Sequence, residues 1–255
     1  MTDETRAIAP GAGAALITLF GESGRLLEAE TAQHAQQLVD HGARSILVAG
    51  TAGEFWSLSD EERVALIGAV RRQLPAGVPV IGHVGGVPAD RAAALARAAT
   101  AEGADAVVAL PLGIEDGQLP AYYEGICDAA GVPTIAYHLP QTGANIPLDV
   151  LRDLGVAATK DSSGDGERLA EEVLELGLEV YTGAPSLLGL SHDLGAAGAV
   201  MGITNVLPEL TSRAIEGDRD ALREVAAASP ASARNFPAGL KEMTAQRWGT
   251  PTASR

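Results

Sequence analysis

Lysine is nearly missing from this chain. Of its 255 residues 18 are basic, and Lys160 and Lys241 are the only two lysines among them. A chain that uses arginine almost everywhere has kept one ammonium at the end of a short, small-residue apolar run, GVAATKDSSGD. Cysteine is scarcer still. The single Cys127 excludes an intramolecular disulfide framework, fits a reducing compartment, and reads as a small buried apolar residue. Aromatics make up 4% of the chain and the net charge is −15, which argues against a nucleic-acid partner, since that needs a basic footprint and often stacking platforms. The same charge disfavours an anionic membrane surface. No apolar run approaches the ~20 residues of a membrane-spanning helix. The opening MTDETRAIAP carries acid early and lacks the basic-then-apolar order of a secretory signal. The expectation is a soluble, cytoplasmic protein.

What is present is a rhythm. A glycine, a short apolar run, loop chemistry and an Ala-rich amphipathic stretch follow one another repeatedly. The runs read GARSILVAG from Gly42, GVPVIG from Gly77, GADAVVALP from Gly103 and GVPTIAY from Gly131. They continue as GVAATK from Gly155, GLEVYT from Gly177 and GAAGAVMG from Gly195. The period is about 25 residues, the length of one strand plus one helix. Each glycine sits where a helix should end in a left-handed cap. Each run is continuous rather than alternating, as in strands buried on both faces. Helix starts lie between them: the capping box Ser59-Asp60-Glu61-Glu62, Asp90, and Pro208 before ELTSRAIEG. With AALITLF at residues 14–20 as the first strand, eight βα units are expected.

Eight alternating units close into a (β/α)₈ TIM barrel. An open doubly wound sheet would usually carry a GxGxxG loop after its first strand, where this chain has GESGRLLEAE. The expected organisation is one domain, with the barrel over residues 1–228 and a short C-terminal extension, a loop and one further helix, over 229–255.

Active sites on this fold lie at the carboxyl ends of the strands. The residues ending the runs are therefore candidates: Thr51, His83, Pro111, Tyr137, Lys160, Gly183 and Val200–Met201. By the two-residue strand period Lys160 shares a side with Ala158 and Val156, so it would rise from a floor of small residues into the mouth. Apolar walls disfavour the ammonium and make a neutral amine accessible, which can condense with a carbonyl as arginine cannot. The alternative is that Lys160 pairs with Asp161 at a loop. Tyr137 ends the preceding strand, where its phenol could relay protons or simply cap the core. Thr51 lies in a Gly-flanked turn suited to cradling a carboxylate, or in an ordinary turn.

The order and spacing of these residues resemble the dihydrodipicolinate synthase / N-acetylneuraminate lyase family of class I, Schiff-base-forming aldolases. The carrying segments are Gly50-Thr51-Ala52-Gly53-Glu54 with Leu58-Ser59 and Glu62-Arg63, Tyr137-His138-Leu139-Pro140 with Thr142-Gly143, and Thr159-Lys160-Asp161-Ser162-Ser163-Gly164-Asp165. TGAPSLL and GAVMGITNVLP extend the likeness, which runs from about Ala14 to Pro208. The resemblance implies that Lys160 forms an imine with pyruvate or another 2-keto acid and Tyr137 shuttles the proton. It implies that Thr51 with the Ala52 and Gly53 amides holds the carboxylate, and that Gly183 and Val200 line the pocket. No metal or organic cofactor is then required, and a homo-oligomer, dimer or tetramer, is expected.

The chain also departs from the family pattern. Ala52 stands where a second threonine is usual, Pro111-Leu112-Gly113 lacks the relay tyrosine that synthases carry after strand four, and Gln141 and Thr142 stand where synthases place an arginine. His83 replaces a small residue and is expected at the substrate's distal end, or else as a structural histidine. His138 is expected to point away from the pocket; His34, His41 and His192 are expected on helices and solvated. The reading is a lyase cleaving, condensing or dehydrating a 2-keto-3-deoxy acid type of substrate. Its alternatives are dihydrodipicolinate synthase proper and a non-catalytic barrel binding a keto acid or sugar acid. A metal-dependent aldolase is disfavoured, since five scattered histidines give no ligand spacing.

Overall fold

Seven of the eight expected runs form strands where the sequence places them. A computed structural model describes residues 8–255; the part of the N-terminal segment before residue 8 lies outside the described residues. The first half runs β1 Gly11–Ala15, α1 Glu28–Asp40, β2 Ser45–Val48, α2 Asp60–Gln73, β3 Val80–His83, α3 Ala89–Ala101, β4 Ala106–Ala109 and α4 Leu119–Ala130. The second runs β5 Thr134–His138, α5 Leu148–Leu151, β6 Ala158–Asp161, α6 Gly166–Ala170, β7 Glu179–Thr182, α7 Leu188–Leu194, β8 Gly198–Met201 and α8 Pro208–Ile215. Two more helices follow, α9 Arg219–Ser232 and α10 Ala238–Trp248. All strand pairs are parallel, and β1 pairs with both β2 and β8, which closes the barrel.

Successive strand residues face opposite sides. Leu47, Ile81, Val108, Ile135 and Ala158 pack together inside the barrel. Ile46, Val48, Val80, Val107 and Ala136 pack outward against helix residues such as Leu38, Leu66, Val70 and Leu95. With both faces covered the runs are continuously apolar, and each fully buried Leu or Ile contributes roughly 1.5–3 kcal/mol. The glycine stops behave as read at Gly42, Gly103, Gly131, Gly155, Gly177 and Gly195, which all have positive φ. Gly77 is the exception: α2 ends in extended backbone at Leu74, and Pro75 turns the chain. The Ser59 capping box forms in full. Asp90 is not a cap, because α3 starts a residue before it, behind Pro88.

The first strand lies earlier than AALITLF. Here the barrel wall is too close for side chains: a Cβ on Gly13 would meet Ser45 Oγ at 2.4 Å, and one on Gly198 would meet the Gly11 carbonyl at 2.3 Å. The glycines therefore take the strand. LITLF follows as buried loop, tied by Leu16 N to Leu47 O at 2.9 Å and Ile17 N to Asn205 Oδ1 at 3.1 Å. The boundary expected at residue 228 falls inside α9, so the extension adds the end of that helix as well as α10. Cys127 is half-buried on α4 rather than fully buried. Among the described residues, no helix is long and apolar enough to cross a membrane.

Candidate active site

Strand register brings the two chemical residues together. Tyr137 of β5 lies abreast of Lys160 of β6, and both point into the barrel. The Lys160 Nζ sits 3.6 Å from the centre of the Tyr137 ring and donates to Ser162 Oγ at 2.9 Å. The Tyr137 hydroxyl is 3.2 Å from Thr51 Oγ1. These four residues line a cavity of about 320 Å³ at the carboxyl ends of the strands, walled further by Ala15, Leu47, Ala52, Leu139, Val200 and Phe236. Lys160 is 4% exposed, so the amine is enclosed on its strand side and open to the hollow.

Burial raises the pKa of the Tyr137 phenol, but the Lys160 charge and hydrogen bonds with Lys160, Thr51 and Ser162 outweigh it and hold the phenol below its ordinary 10.0. Asp161 does not pair with Lys160. Its carboxylate accepts from Ser163 N at 2.9 Å and Ser163 Oγ at 2.8 Å, so it braces the loop after β6 while burial pushes its pKa up.

Of the expected site residues, Lys160, Tyr137, Thr51, Ala52, Gly183 and Val200 all meet at this cavity. Gly53 stands apart: its amide donates to Gly50 O at 3.0 Å and is used up in closing the turn. His83 is away from the substrate's distal end and buried, the placement its structural alternative called for. It lies inside the barrel, fully buried, with its ring 4.8 Å from that of Phe55, and it does not line the cavity. Burial, with Arg63 and Lys160 nearby, lowers its pKa to about 3, so it is neutral. His138 does point away from the pocket, accepting from Ile146 N at 3.0 Å through Nδ1. His34 corrects the expectation of a solvated histidine: it is 2% exposed, with Nε2 3.3 Å from Asn205 Oδ1. Desolvation lowers its pKa to about 4. The apolar face of α1 is what buries it.

Three contributors escaped sequence reasoning. Ser162 lies two residues beyond Lys160, on the same side, and that spacing was a legible signal. Phe236 reaches the cavity from the loop between α9 and α10, and nothing in its surroundings announces that. Asn205 is 0% exposed and ties the two cavity-lining segments after β1 and β8 together, donating to Ala15 O at 2.7 Å and Gly202 O at 2.8 Å.

The missing relay tyrosine is not replaced from α4. Tyr122 and Tyr123 are buried there, with hydroxyls donating to Leu110 O at 3.4 Å and Ala109 O at 2.8 Å. Tyr181, the last of the four tyrosines, donates to Ile8 O at 2.8 Å. Gln141, standing where synthases place an arginine, donates to the Ser162 and Ser163 carbonyls at 3.3 and 2.8 Å.

Fold and site together define a closed parallel (β/α)₈ barrel with a buried lysine amine facing a hollow at the carboxyl ends of its strands. The particular lineage follows from comparison: residues 10–231 match the dihydrodipicolinate synthetase family, and the chain belongs to it. An uncharacterized DapA-like lyase of Halobacterium salinarum is 34% identical over 93% of this chain and 84% of its own length. The 2-dehydro-3-deoxy-D-gluconate/2-dehydro-3-deoxy-phosphogluconate aldolase of Thermoproteus tenax is 32% identical over 82% of this chain and 68% of its own. Among solved structures, the dihydrodipicolinate synthase of Aquifex aeolicus superposes with a TM-score of 0.85 at 26% identity, covering 96% of this chain and 90% of that one.

Proposed function

We propose that this protein is a Schiff-base aldolase or dehydratase acting on a 2-keto-3-deoxy acid, with Lys160 as nucleophile and Tyr137 as proton shuttle. One observation carries the reading. The Lys160 amine, held by Ser162 and flanked by the Tyr137 phenol, faces a hollow instead of an acid. In its neutral form the amine attacks the keto carbon of the substrate, and Tyr137 passes protons to and from the oxygen that leaves as water. In cleavage the hydroxyl beyond the adjacent carbon gives up its proton, the C–C bond breaks towards the protonated imine, and an aldehyde leaves an enamine behind; condensation is the reverse. In dehydration the adjacent carbon gives up a proton to form the enamine, which expels the next carbon's hydroxyl as water once that hydroxyl is protonated. Water then hydrolyses the imine, frees the keto acid and restores the Lys160 amine.

Thr51 and Ala52 are the residues suited to the substrate carboxylate, since Gly53 spends its amide on the turn. Gly183 and Val200 give the reacting carbons room. Phe236 and Leu139 make the outer wall apolar. Dihydrodipicolinate synthase proper is the weaker reading, given the carbonyl-bound Tyr122 and Tyr123 and the engaged Gln141. The expected assembly is a cytoplasmic homo-oligomer, for which the exposed Trp56 and Leu112, lining one recess, offer an apolar surface.

Borohydride reduction in the presence of pyruvate, read by intact mass and peptide mapping, tests the reading. A reduced pyruvate adduct on Lys160 is expected, lost in Lys160→Arg. No adduct with pyruvate or any of a panel of 2-keto acids would overturn the enzyme in favour of the non-catalytic binder.

A further inference from the structure

The second lysine has no place in the chemistry above, yet it is more deeply buried than the first. Lys241, on α10, is 0% exposed, and its ammonium forms an ion pair with Glu54, itself 1% exposed. The same nitrogen donates to Ala253 O at 2.7 Å and lies 4.8 Å from the Phe20 ring centre. Glu54 is the last residue of the GTAGE turn. It adopts a left-handed conformation, φ 56 and ψ 46, which is strained for a residue with a Cβ. Something outside the turn must hold it there.

We propose that Lys241 is a positioning residue for the carboxylate-binding turn, fixing Glu54 from beneath so that Thr51 and Ala52 face Lys160. The turn leaves little slack through which such a constraint could be lost. Gly53 N and Phe55 N both donate to Gly50 O, at 3.0 and 3.2 Å, and Glu54 N donates to Thr51 O at 3.2 Å. Thr18 Oγ1 donates to Gly53 O at 2.7 Å, so the turn is pinned on the β1 side as well. Thr51, three residues before Glu54, is the group that meets the Tyr137 hydroxyl.

The extension presses on the same region at a second point. A Cβ on Gly202 would meet Leu240 Cδ2 at 3.0 Å and Ala52 Cβ at 3.8 Å, so the residue before Lys241 packs onto the cavity wall. The chain end closes the arrangement, with Arg255 N donating to Glu54 Oε2 at 3.3 Å. A buried ion pair is a poor stabiliser, because desolving two charges offsets most of their attraction and an apolar pair of similar volume does as well. Its distinctive property is direction. An ammonium with a carboxylate and a carbonyl as partners holds them at fixed places, as a methionine would not.

The proposal rests on Thr51 and Ala52 binding the carboxylate, so its test includes Thr51→Val. The variants are Lys241→Met, Glu54→Gln and the double variant, which leaves no unpaired buried charge. Thermal melts report folding, and borohydride trapping at graded pyruvate concentrations reports the cradle. The double variant is expected to melt close to wild type, still be trapped on Lys160, and need about ten times more pyruvate for half-maximal trapping. The single Lys241→Met variant, left with a lone buried carboxylate, should show the same rise on a lower melting temperature. A double variant that folds and traps at the wild-type pyruvate concentration overturns the positioning role. If Thr51→Val still shows the rise, that failure belongs to Lys241 alone; if Thr51→Val is also unchanged, the assignment of the cradle fails with it. A double variant that does not fold likewise overturns the proposal, since the pair would then be structural.

Discussion

Gly183 lets the geometry of the amine be tested by adding a single carbon. A Cβ built there would lie 1.8 Å from Ser162 Oγ, 2.9 Å from Lys160 Nζ and 3.0 Å from Ser162 Cβ. The backbone at this residue has no positive φ, so alanine incurs no backbone strain. The Gly183 N to Asp161 O bond at 2.6 Å is unaffected by the added methyl. Most of the effect falls on the Ser162 and Lys160 side-chain ends, while the 3.0 Å approach to Ser162 Cβ asks the backbone there to give by a few tenths of an ångström. Ser162 Oγ must move by more than ~1 Å to reach an ordinary contact, and the 2.9 Å bond that orients the amine is lost with it. Losing that bond costs roughly 1 kcal/mol, and the chain-entropy benefit of Gly→Ala offsets about 0.4–1 kcal/mol. The melting temperature should therefore move by no more than about 4 °C. Trapping is a different matter, because a reacting group displaced by about 1 Å costs on the order of 10²-fold in rate. Gly183→Ala should fold normally and form the pyruvate adduct about a hundredfold more slowly, measured by quenched borohydride trapping beside a circular-dichroism melt. Ser162→Ala in the same chain removes the nearest clash and should recover part of the rate. Full-rate trapping in Gly183→Ala would show that the amine reacts from some other position, and the account of the site would fail.

Two other outcomes follow from the same structure. Tyr137→Phe should still be trapped by pyruvate but turn over roughly 10²-fold or more slowly in an aldehyde-release assay, and unchanged turnover would remove the proton-shuttle role. Acid should destabilise the fold steeply. His34, His83 and His138 have folded pKa values lowered from 6.5 to about 4, 3 and 4, chiefly by burial. Their contribution is present above pH 6.5 and lost as pH falls towards those values. Glu172, raised to about 8 by burial and by Asp161, works the other way: its contribution is full below 4.5 and lost as pH rises through 8. Near pH 5.5 the unfolded chain binds roughly three more protons on the histidines and one fewer on the glutamate, a net slope of about 2–3 kcal/mol per pH unit. Melts between pH 5 and 7 should show that fall, and Glu172→Gln should steepen it; a flat profile would refute the buried, neutral state of the histidines.

The barrel was legible because its signal is local and repeated. Strands buried on both faces need continuous apolar runs, helices need caps, and a period of one strand plus one helix admits few architectures. Lys160 and Tyr137 were legible for a related reason: the fold brings strand ends together, and the β5–β6 register puts these two side by side. The placement of β1 was not legible. Hydropathy marks LITLF, while the strand falls on GAGAA, because the close approach of Gly198 to Gly11 is a property of the closed wall and not of either segment. The burial of His34 was hidden in the same way, since a polar residue on an amphipathic helix reads as solvated until Asn205 is found beside it.

The sequence by itself determined that strands and helices would alternate and which amine would stand at a strand end, since propensity, capping and strand parity act over a few residues. The tertiary structure alone decided that Ser162 orients that amine, that Phe236 walls the hollow, that His83 is enclosed beneath Phe55, and that Lys241 meets Glu54. Those are contacts between atoms brought together by chain closure, and a hydrogen bond or ion pair takes its energy from distance and burial, neither of which is written in sequence order.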